Sequence, residues 1–375
     1  MGPARVTGIS KRNGSQSVGD RSASVASGRN DLPRRFRTLV VIVSAAYPLA
    51  LLTVILMLRF VGEQWWITIV ALYLPRLGFA IPLPFTFAAT WRWSRRIFLV
   101  PQLIAIYLIL FPLMGLNLGT GRLLATERGN AIRLVSYNID TGSRGIEGVI
   151  AQVRAFEPNL VLLQEAHEEL RNQLAAAFLG WHVDQHGQFF VASRYPIRSV
   201  YLPPPLSFST GEGGARFVSY LLETPLGPVN IYNVHTTSPR DSIDELRGNG
   251  LREEIRTGRL FSGTKSGLIE FNAYRRMRQI EASASAARAS PYPVILAGDT
   301  NLPGLSRVLA EQLNGFQDAF DAVGRGFGYT FPDKHPWMRI DRILVNRPLR
   351  ALDFRVGNTN GSDHLCVFAI IGNNG

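Results

Sequence analysis

The sequence predicts an α/β domain of layered sheets covered by helices, carried behind a helical membrane region. Two observations predict it. Residues 39–58 and 97–116 are each 20 residues long without a charged side chain, and beyond residue 130 short apolar runs alternate with helix-like stretches. Composition agrees: 46% of the 375 residues are hydrophobic, which excludes a disordered chain, and one cysteine excludes a disulfide framework or a cysteine-cluster metal site. The net charge of +12 points first to nucleic acid or an anionic membrane surface. Its distribution narrows the choice. Residues 1–37 hold eight Lys/Arg against two Asp/Glu, residues 38–129 seven against two, and residues 130–375 twenty-five against twenty-four.

In chain order, residues 1–37 are rich in Ser, Gly and Arg without apolar periodicity and read as a disordered basic cytoplasmic tail. Residues 38–117 read as a transmembrane region. Twenty residues rise roughly 30 Å as a helix, the hydrocarbon thickness of a bilayer. Residues 67–90, apolar except for Arg76, read as a third span, with Trp65 and Trp66 at one end and Trp91 and Trp93 at the other, where membrane interfaces attract aromatics. Pro75, Pro82 and Pro84 kink this span or divide it into re-entrant segments. Arg76 then faces a partner, or snorkels to a headgroup. Basic residues flank the N-terminal side of the first span and fill 91–96, whereas 59–66 holds Arg59 opposed by Glu63. Positive flanks stay inside, so three crossings place everything after residue 117 outside the cytoplasm. Residues 118–130 read as a linker.

Residues 131–375 read as a separate domain. Strands are expected over 132–137, 160–163, 189–192, 217–222, 229–234, 294–297, 340–345 and 365–370, and helices over 145–156, 167–178, 270–288 and 304–313. The long polar stretch 240–269 reads as a functional loop, its Leu251, Ile255, Leu260, Phe261, Leu268 and Ile269 suiting a lid, a lipid-facing element or a packed insertion.

A chemical pattern repeats at the strand ends. An apolar run closes and acidic, amide or imidazole side chains follow at once: Asn138 after 132–137, Gln164-Glu165 after 160–163, His235 after 229–234, Asp299-Thr300-Asn301 after 294–297, Asp341 within 340–345, and Ser362-Asp363-His364 before 365–370. On one rim these would form a pocket of hard oxygen donors and imidazoles, suited to Mg²⁺ or Mn²⁺ rather than zinc. Each piece alone is also a common turn or cap residue. The other histidines, His167, His182, His186 and His335, match no such pattern and read as surface or structural.

Taken in order, Ser136-Tyr137-Asn138, Gln164-Glu165, Asn233-Val234-His235, Gly298-Asp299-Thr300-Asn301, Ile340-Asp341-Arg342-Ile343 and Ser362-Asp363-His364 resemble the endonuclease/exonuclease/phosphatase superfamily, as does Ser193-Arg194-Tyr195-Pro196-Ile197. The front end resembles a membrane-anchored bacterial branch. The resemblance implies a four-layer αββα sandwich and metal-dependent phosphoester hydrolysis. It implies Glu165 as principal metal ligand, with Asn138 close by and Asp363 supporting the metal side. It implies Asp299 orienting or deprotonating the attacking water, Asn301 holding a phosphate oxygen and His235 contacting the phosphate or the leaving oxygen. His364 would donate to the phosphate, with Asp341 orienting it or binding a second metal. The chemistry is consistent: in-line attack needs an activated water, neutralised oxygens and a stabilised leaving group.

The substrate is read more coarsely. A membrane anchor favours a lipid phosphoester or lipid-linked pyrophosphate close to the bilayer. A nuclease would need several phosphate-binding cations, and the nearly neutral domain offers no global field for them. Arg275, Arg276 and Arg278, with Arg252, Arg256 and Arg259, could form a local patch, but read as a solvated face partnered by Glu254, Glu270 and Glu281. A surface nuclease and a non-catalytic membrane receptor on the same scaffold are the alternatives.

Overall fold

The computed structural model describes residues 1–2, 34–94, 96–121, 130–240, 242, 256, 264–359 and 361–373. The expected tail from 3 to 33, most of the 118–130 linker and most of the 240–269 loop lie outside the described residues. The stretch of that loop from 264 is helical, since helix Thr264–Arg288 starts before the expected 270. The first apolar helix likewise begins earlier than its uncharged run, at Arg34.

The strands, in chain order, are β1 Ile132–Asn138, β2 Leu160–Gln164, β3 His182–His186, β4 Phe189–Ser193, β5 Ile197–Tyr201, β6 Leu206–Phe208, β7 Gly211–Gly213, β8 Phe217–Thr224, β9 Gly227–His235, β10 Val294–Asp299, β11 Gln317–Asp318, β12 Asp341–Val345, β13 Leu349–Val356 and β14 Val367–Asn373. They make two six-stranded sheets, β13-β14-β1-β2-β4-β3 and β11-β12-β10-β9-β8-β5, with a small β6-β7 ribbon aside. Three stacked apolar layers explain the architecture. Leu134, Leu160, Ile231, Ile295 and Ile343 pack between the sheets. Val135, Val161 and Phe368 on the first sheet's far face meet Val149, Val153 and Leu174 of helices Ile146–Arg154 and Arg171–Ala177. Tyr232, Val294 and Leu344 on the second sheet's far face meet Ile280 and Ala284 of helix Thr264–Arg288. Strands apolar on both faces need both covers, hence four layers. Each fully buried aliphatic side chain contributes about 1.5–3 kcal/mol.

The N-terminal helices form a fourth core around Leu51, Leu58, Leu72, Ala105 and Leu113. Residues Arg34–Gln64 and Arg96–Leu113 are each long and apolar enough to cross a membrane. The expected third span over 67–90 is not one helix. Trp66–Tyr73 and Arg76–Trp93 meet at 92°. Pro75 is the cause: it has no N–H for the helical ladder, and it forces Leu74 before it into the extended region (φ −73°, ψ 148°). Residues Arg76–Trp93 run back along the first helix, because Trp93 meets Phe36 edge-on at 5.4 Å and Tyr47 donates to the Phe79 carbonyl.

The break carries Arg76 out of the middle of an apolar helix. Its buried guanidinium donates to the carbonyls of Leu113 (2.7 Å) and Gly304, so it faces a partner and does not snorkel. All the contacts named between the helices and the α/β domain cluster at this end. Trp66 N–H donates to Glu270 (3.1 Å), Tyr329 donates to the Met114 carbonyl (2.8 Å), and Asn117 exchanges two backbone hydrogen bonds with Gly326 (2.8 Å each). Ile69 packs on Ile269 and Ala273.

Candidate active site

Sheet register assembles half of the site. Asp299 ends β10, with His235 as its partner on parallel β9 and Asp341 as its partner on antiparallel β12. Gly298 is required there. Its φ is +141°, and a Cβ would lie 1.9 Å from the Val234 carbonyl oxygen. The first sheet supplies the other half. Asn138 pairs with Gln164 at the ends of β1 and β2, and Glu165 follows in a left-handed conformation (φ +55°). The two halves are tied across the sandwich. Asn138 Nδ2 donates to Glu165 Oε1 (3.0 Å) and to Asp299 Oδ2 (3.1 Å), and Gln164 Nε2 donates to Asn233 Oδ1 (2.7 Å). Ser362 Oγ donates to the Asn138 carbonyl (2.7 Å), which anchors the turn carrying Asp363 and His364.

All eight residues singled out from the sequence meet here. Glu165, His235, Asp299, Asn301, Asp363 and His364 line one cleft of about 420 Å³, while Asn138 and Asp341 stand behind it in contact with them. His235 Nε2 lies 3.5 Å from Glu165 Oε1 and 3.7 Å from Asp299 Oδ2. Its Nδ1 is 2.7 Å from Gln188 Oε1, which selects the Nδ1–H tautomer. His364 Nδ1 donates to Asp341 Oδ2 (2.9 Å), leaving Nε2 toward Asp299 (3.8 Å) and Asp363 (3.9 Å). Asn301 also has a left-handed backbone (φ +49°), and it donates to both oxygens of Asp299, by N–H at 2.8 Å and by Nδ2 at 3.2 Å. Its other amide proton goes to the Thr236 carbonyl at 3.0 Å. As it stands, Asn301 clamps Asp299 rather than offering both amide protons to a ligand.

Burial and charge set the protonation states. Burial pulls the His235 pKa down to about 4 against the pull of Asp299, so this imidazole is neutral at neutral pH. Burial also acts to lower His364, but the carboxylates of Asp341 and Asp299 outweigh it and lift its pKa to about 10. His364 is therefore an imidazolium whose Nε2–H points into the cleft. Burial raises the carboxyl pKa of Asp299, aided by the Asp341 charge and opposed by His364. Burial likewise raises that of Glu165, against its hydrogen bond from Asn138.

This surplus of buried carboxylate suits a cation. Carboxylate oxygens of Asp299 and Asp341 lie within 4.8 Å of each other beside the His364 imidazolium, which donates and does not ligate, and Asp341 Oδ1 is buried without a hydrogen-bond partner. The neutral His235 presents its Nε2 lone pair to the carboxylates of Glu165 and Asp299, an arrangement that a cation between them would satisfy. The oxygen-rich donor set fits a hard divalent ion.

Several cleft residues were not predicted. Tyr73, Asp140, Arg240, Phe331, Trp337 and Met338 also line it, and Tyr73 comes from the N-terminal helices. Arg240 donates to Asp363 Oδ2 (3.0 Å) with its guanidinium over the Phe331 ring. The reading of Arg275, Arg276 and Arg278 as one solvated face fails at Arg276, which is completely buried. Its Nε donates to the Thr237 carbonyl (2.9 Å) and its Nη1 to the Tyr73 hydroxyl (2.9 Å). Arg278 does pair with Glu281 (3.1 Å), whereas Glu270 caps Trp66 instead. Arg252, Arg259 and Glu254 lie outside the described residues. His167, His182 and His335 are exposed, and His186 pairs with Asp184 (2.9 Å).

Residues 135–364 match the family model described as Endonuclease/Exonuclease/phosphatase family. Comparison with curated proteins found no match. Similar solved structures include an endonuclease/exonuclease/phosphatase from Beutenbergia cavernae (18% identity, TM-score 0.46, covering 66% of this chain and 72% of that one). Others are the 3′ phosphatase NExo from Neisseria (17%, 0.46, 65% and 100%) and an AP endonuclease from Archaeoglobus fulgidus (16%, 0.46, 65% and 100%).

Proposed function

The chain belongs to the endonuclease/exonuclease/phosphatase family of metal-dependent phosphoric ester hydrolases, and on that footing we propose that it is a membrane-anchored, extracytoplasmic, Mg²⁺-dependent phosphoesterase acting on a lipid phosphoester or lipid-linked pyrophosphate. The observation that carries this reading is Tyr73, which brings the helical region into the wall of the same cleft as Glu165, Asp299 and His364. A substrate held in the leaflet would meet the site at the point where helices and α/β domain join.

Other observations support the membrane side. Leu39, Ile42, Leu49, Leu103 and Ile104 are exposed on the helices, an apolar surface that lipid would cover. Arg34, Arg37, Arg92 and Arg96 line a single cavity beside Trp91 and Trp93, and this group includes Trp93 packed on Phe36. That is the end of the helices away from the contacts with the α/β domain. Basic ends stay cytoplasmic, which directs the α/β domain outward. Tyr73, Phe331, Trp337, Met338 and Ile340 add aromatic and apolar surface to the cleft beside its carboxylates. Arg240 is the one Lys or Arg side chain lining it among the described residues, too few for tracking a nucleic-acid backbone.

In this reading Glu165 would be the principal Mg²⁺ ligand and Asp363 would support the metal side, while Asn138, whose Nδ2 donates to Glu165 and Asp299, would hold those carboxylates in place. The ion supplies charge neutralisation at the phosphate and a more acidic bound water. Asp299, clamped by Asn301, orients the attacking water and accepts its proton. His364, charged and braced by Asp341, donates Nε2–H to a phosphate oxygen as negative charge develops. His235, neutral with its proton on Nδ1, can donate to a phosphate oxygen through Nε2 only after Nε2 takes up a proton. Asn301 holds a phosphate oxygen only by releasing one of its present bonds.

The test uses the full chain in lipid nanodiscs with Mg²⁺, screened for phosphate release from phospholipids, polyprenyl pyrophosphate and plasmid DNA. Hydrolysis of a lipid phosphoester that is abolished in Glu165→Ala is the expected result. Cleaved plasmid with every lipid intact would replace the lipid reading by the nuclease one. Activity unchanged in Glu165→Ala would overturn the site.

A further inference from the structure

We propose that Tyr73 is a positioning residue of the active site: through its hydroxyl it holds the Asn301 turn, and through Asn301 it sets the carboxylate of Asp299. Only the kinetic half of this inference rests on the phosphoesterase reading.

The hydrogen bonds leave the Tyr73 hydroxyl one arrangement. Arg276 Nη1 donates to it at 2.9 Å, and a guanidinium can only donate. The hydroxyl's own proton therefore goes to its other partner, the Asn301 carbonyl, at 2.8 Å. Asn301 needs that hold. Its backbone sits in the left-handed region, which Asn enters more readily than other L-residues, so the contacts around it decide how firmly the turn is fixed. Three contacts fix it: its N–H and side chain on Asp299, its side chain on Thr236, and Tyr73 on its carbonyl. The first two lie within the α/β domain, and the third crosses from the helices.

Tyr73 also ties the neighbouring loops. Arg276, fully buried, donates through Nε to the Thr237 carbonyl just after His235. Trp337 Nε1 donates to the Tyr73 backbone carbonyl (3.2 Å), which secures the 331–338 side of the cleft. One residue at the bend between two N-terminal helices thus bonds the loop that follows β10 and the loop that precedes β12, and reaches the loop that follows β9 through Arg276. A hydrolase whose water-orienting carboxylate is braced this way works only with its helices docked.

The experiment compares wild type with Tyr73→Phe in the full chain in nanodiscs. Phenylalanine keeps the ring against its apolar neighbours Ile69, Ile269 and Ala273 and removes only the hydroxyl. Hydrogen exchange should accelerate about tenfold at amides 236–240 and 300–306 while β9 and β10 stay protected. With Mg²⁺ and bis(4-nitrophenyl) phosphate, kcat should fall about tenfold at unchanged KM, a positioning loss. In an Asp299→Asn background the same change should alter kcat less than about twofold, because the carboxylate that the Asn301 turn sets is already gone. Unchanged exchange in the two loops, or an equal loss of kcat in both backgrounds, would overturn the proposal. So would faster exchange throughout β9 and β10, which would assign Tyr73 a general structural role. A wild type without hydrolysis would sink the phosphoesterase reading alone, and the exchange comparison would still decide whether Tyr73 holds the Asn301 turn.

Discussion

The two halves of the cleft are built differently. His235, Asp299 and Asp341 sit on three adjacent strands, aligned by the ladder, and are 6%, 1% and 1% exposed. Glu165 arrives from the first-sheet side on a left-handed residue with its side chain 27% exposed, whereas His364, on a turn from that side, is 6% exposed and bonded to the ladder through Asp341. The difference separates duties. The ladder half can hold a carboxylate immobile for proton transfer, whereas Glu165 can adjust to an entering cation and substrate.

Substitutions in each half sharpen that contrast. The largest loss is expected from Asp299→Asn, which keeps the shape but removes the charge at the centre of the ladder. Turnover should fall on the order of 10³-fold with an unchanged circular dichroism spectrum. Glu165→Gln should cost on the order of 10²-fold at low Mg²⁺, and raising the Mg²⁺ concentration should recover much of it. If excess metal recovers Asp299→Asn equally well, the proposed division is wrong.

Asp341→Asn should cost about tenfold and change the shape of the pH profile. Asp341 helps lift His364 to about 10 against burial. Without its charge, burial wins and the imidazolium loses its proton at lower pH. The alkaline limb of the rate profile should therefore move to lower pH than in wild type, and an unmoved limb would remove His364 from its role as donor.

The smallest effect on turnover is expected at a site remote from both halves. Asp318 is buried between Arg339 (2.6 Å) and Arg342 (2.7 Å). Burial raises its pKa, but the two guanidiniums outweigh that and hold it below the ordinary carboxylate value. A depressed carboxyl pKa stabilises the fold above its unfolded value, and the contribution is lost as pH falls through the folded one. Asp318→Asn should destabilise by about 3 kcal/mol at pH 7, because Arg342 stays buried without the carboxylate it pairs with, while Arg339 keeps Asp321. Urea denaturation should show the gap between wild type and variant closing only below about pH 4.

Much of this architecture was legible because buried strands are nearly continuous apolar runs. β1, β2, β9 and β10 announce themselves, and the polar residues that follow them stand out as a site. β13 did not, since Leu349–Val356 carries Arg350, Asp353 and Arg355 and reads as a loop. β5 did not either, being an edge strand with four of its five residues exposed. Arg276 left a signal that charge counting hides. Ile269, Ala273, Ile280, Ala284 and Ala287 mark the buried stripe of helix Thr264–Arg288, and position 276 falls on that stripe. Tyr73 was invisible as a site residue because its partners are more than 200 positions away. Pro75 next to it predicted the kink, though not what the kink would touch.

Glu63 draws out what such joining means for the making of the protein. Its carboxylate accepts from the amides of Arg307 (3.1 Å) and Val308 (3.4 Å) and from the Ser306 hydroxyl, so it caps helix Arg307–Gln312 from the far end of the sequence. Those amides belong to the first turn and have no partner within their own helix. A ribosome delivers Glu63 some 240 residues before the helix it caps. The landing platform is thus finished first, and the enzyme matures by settling onto it.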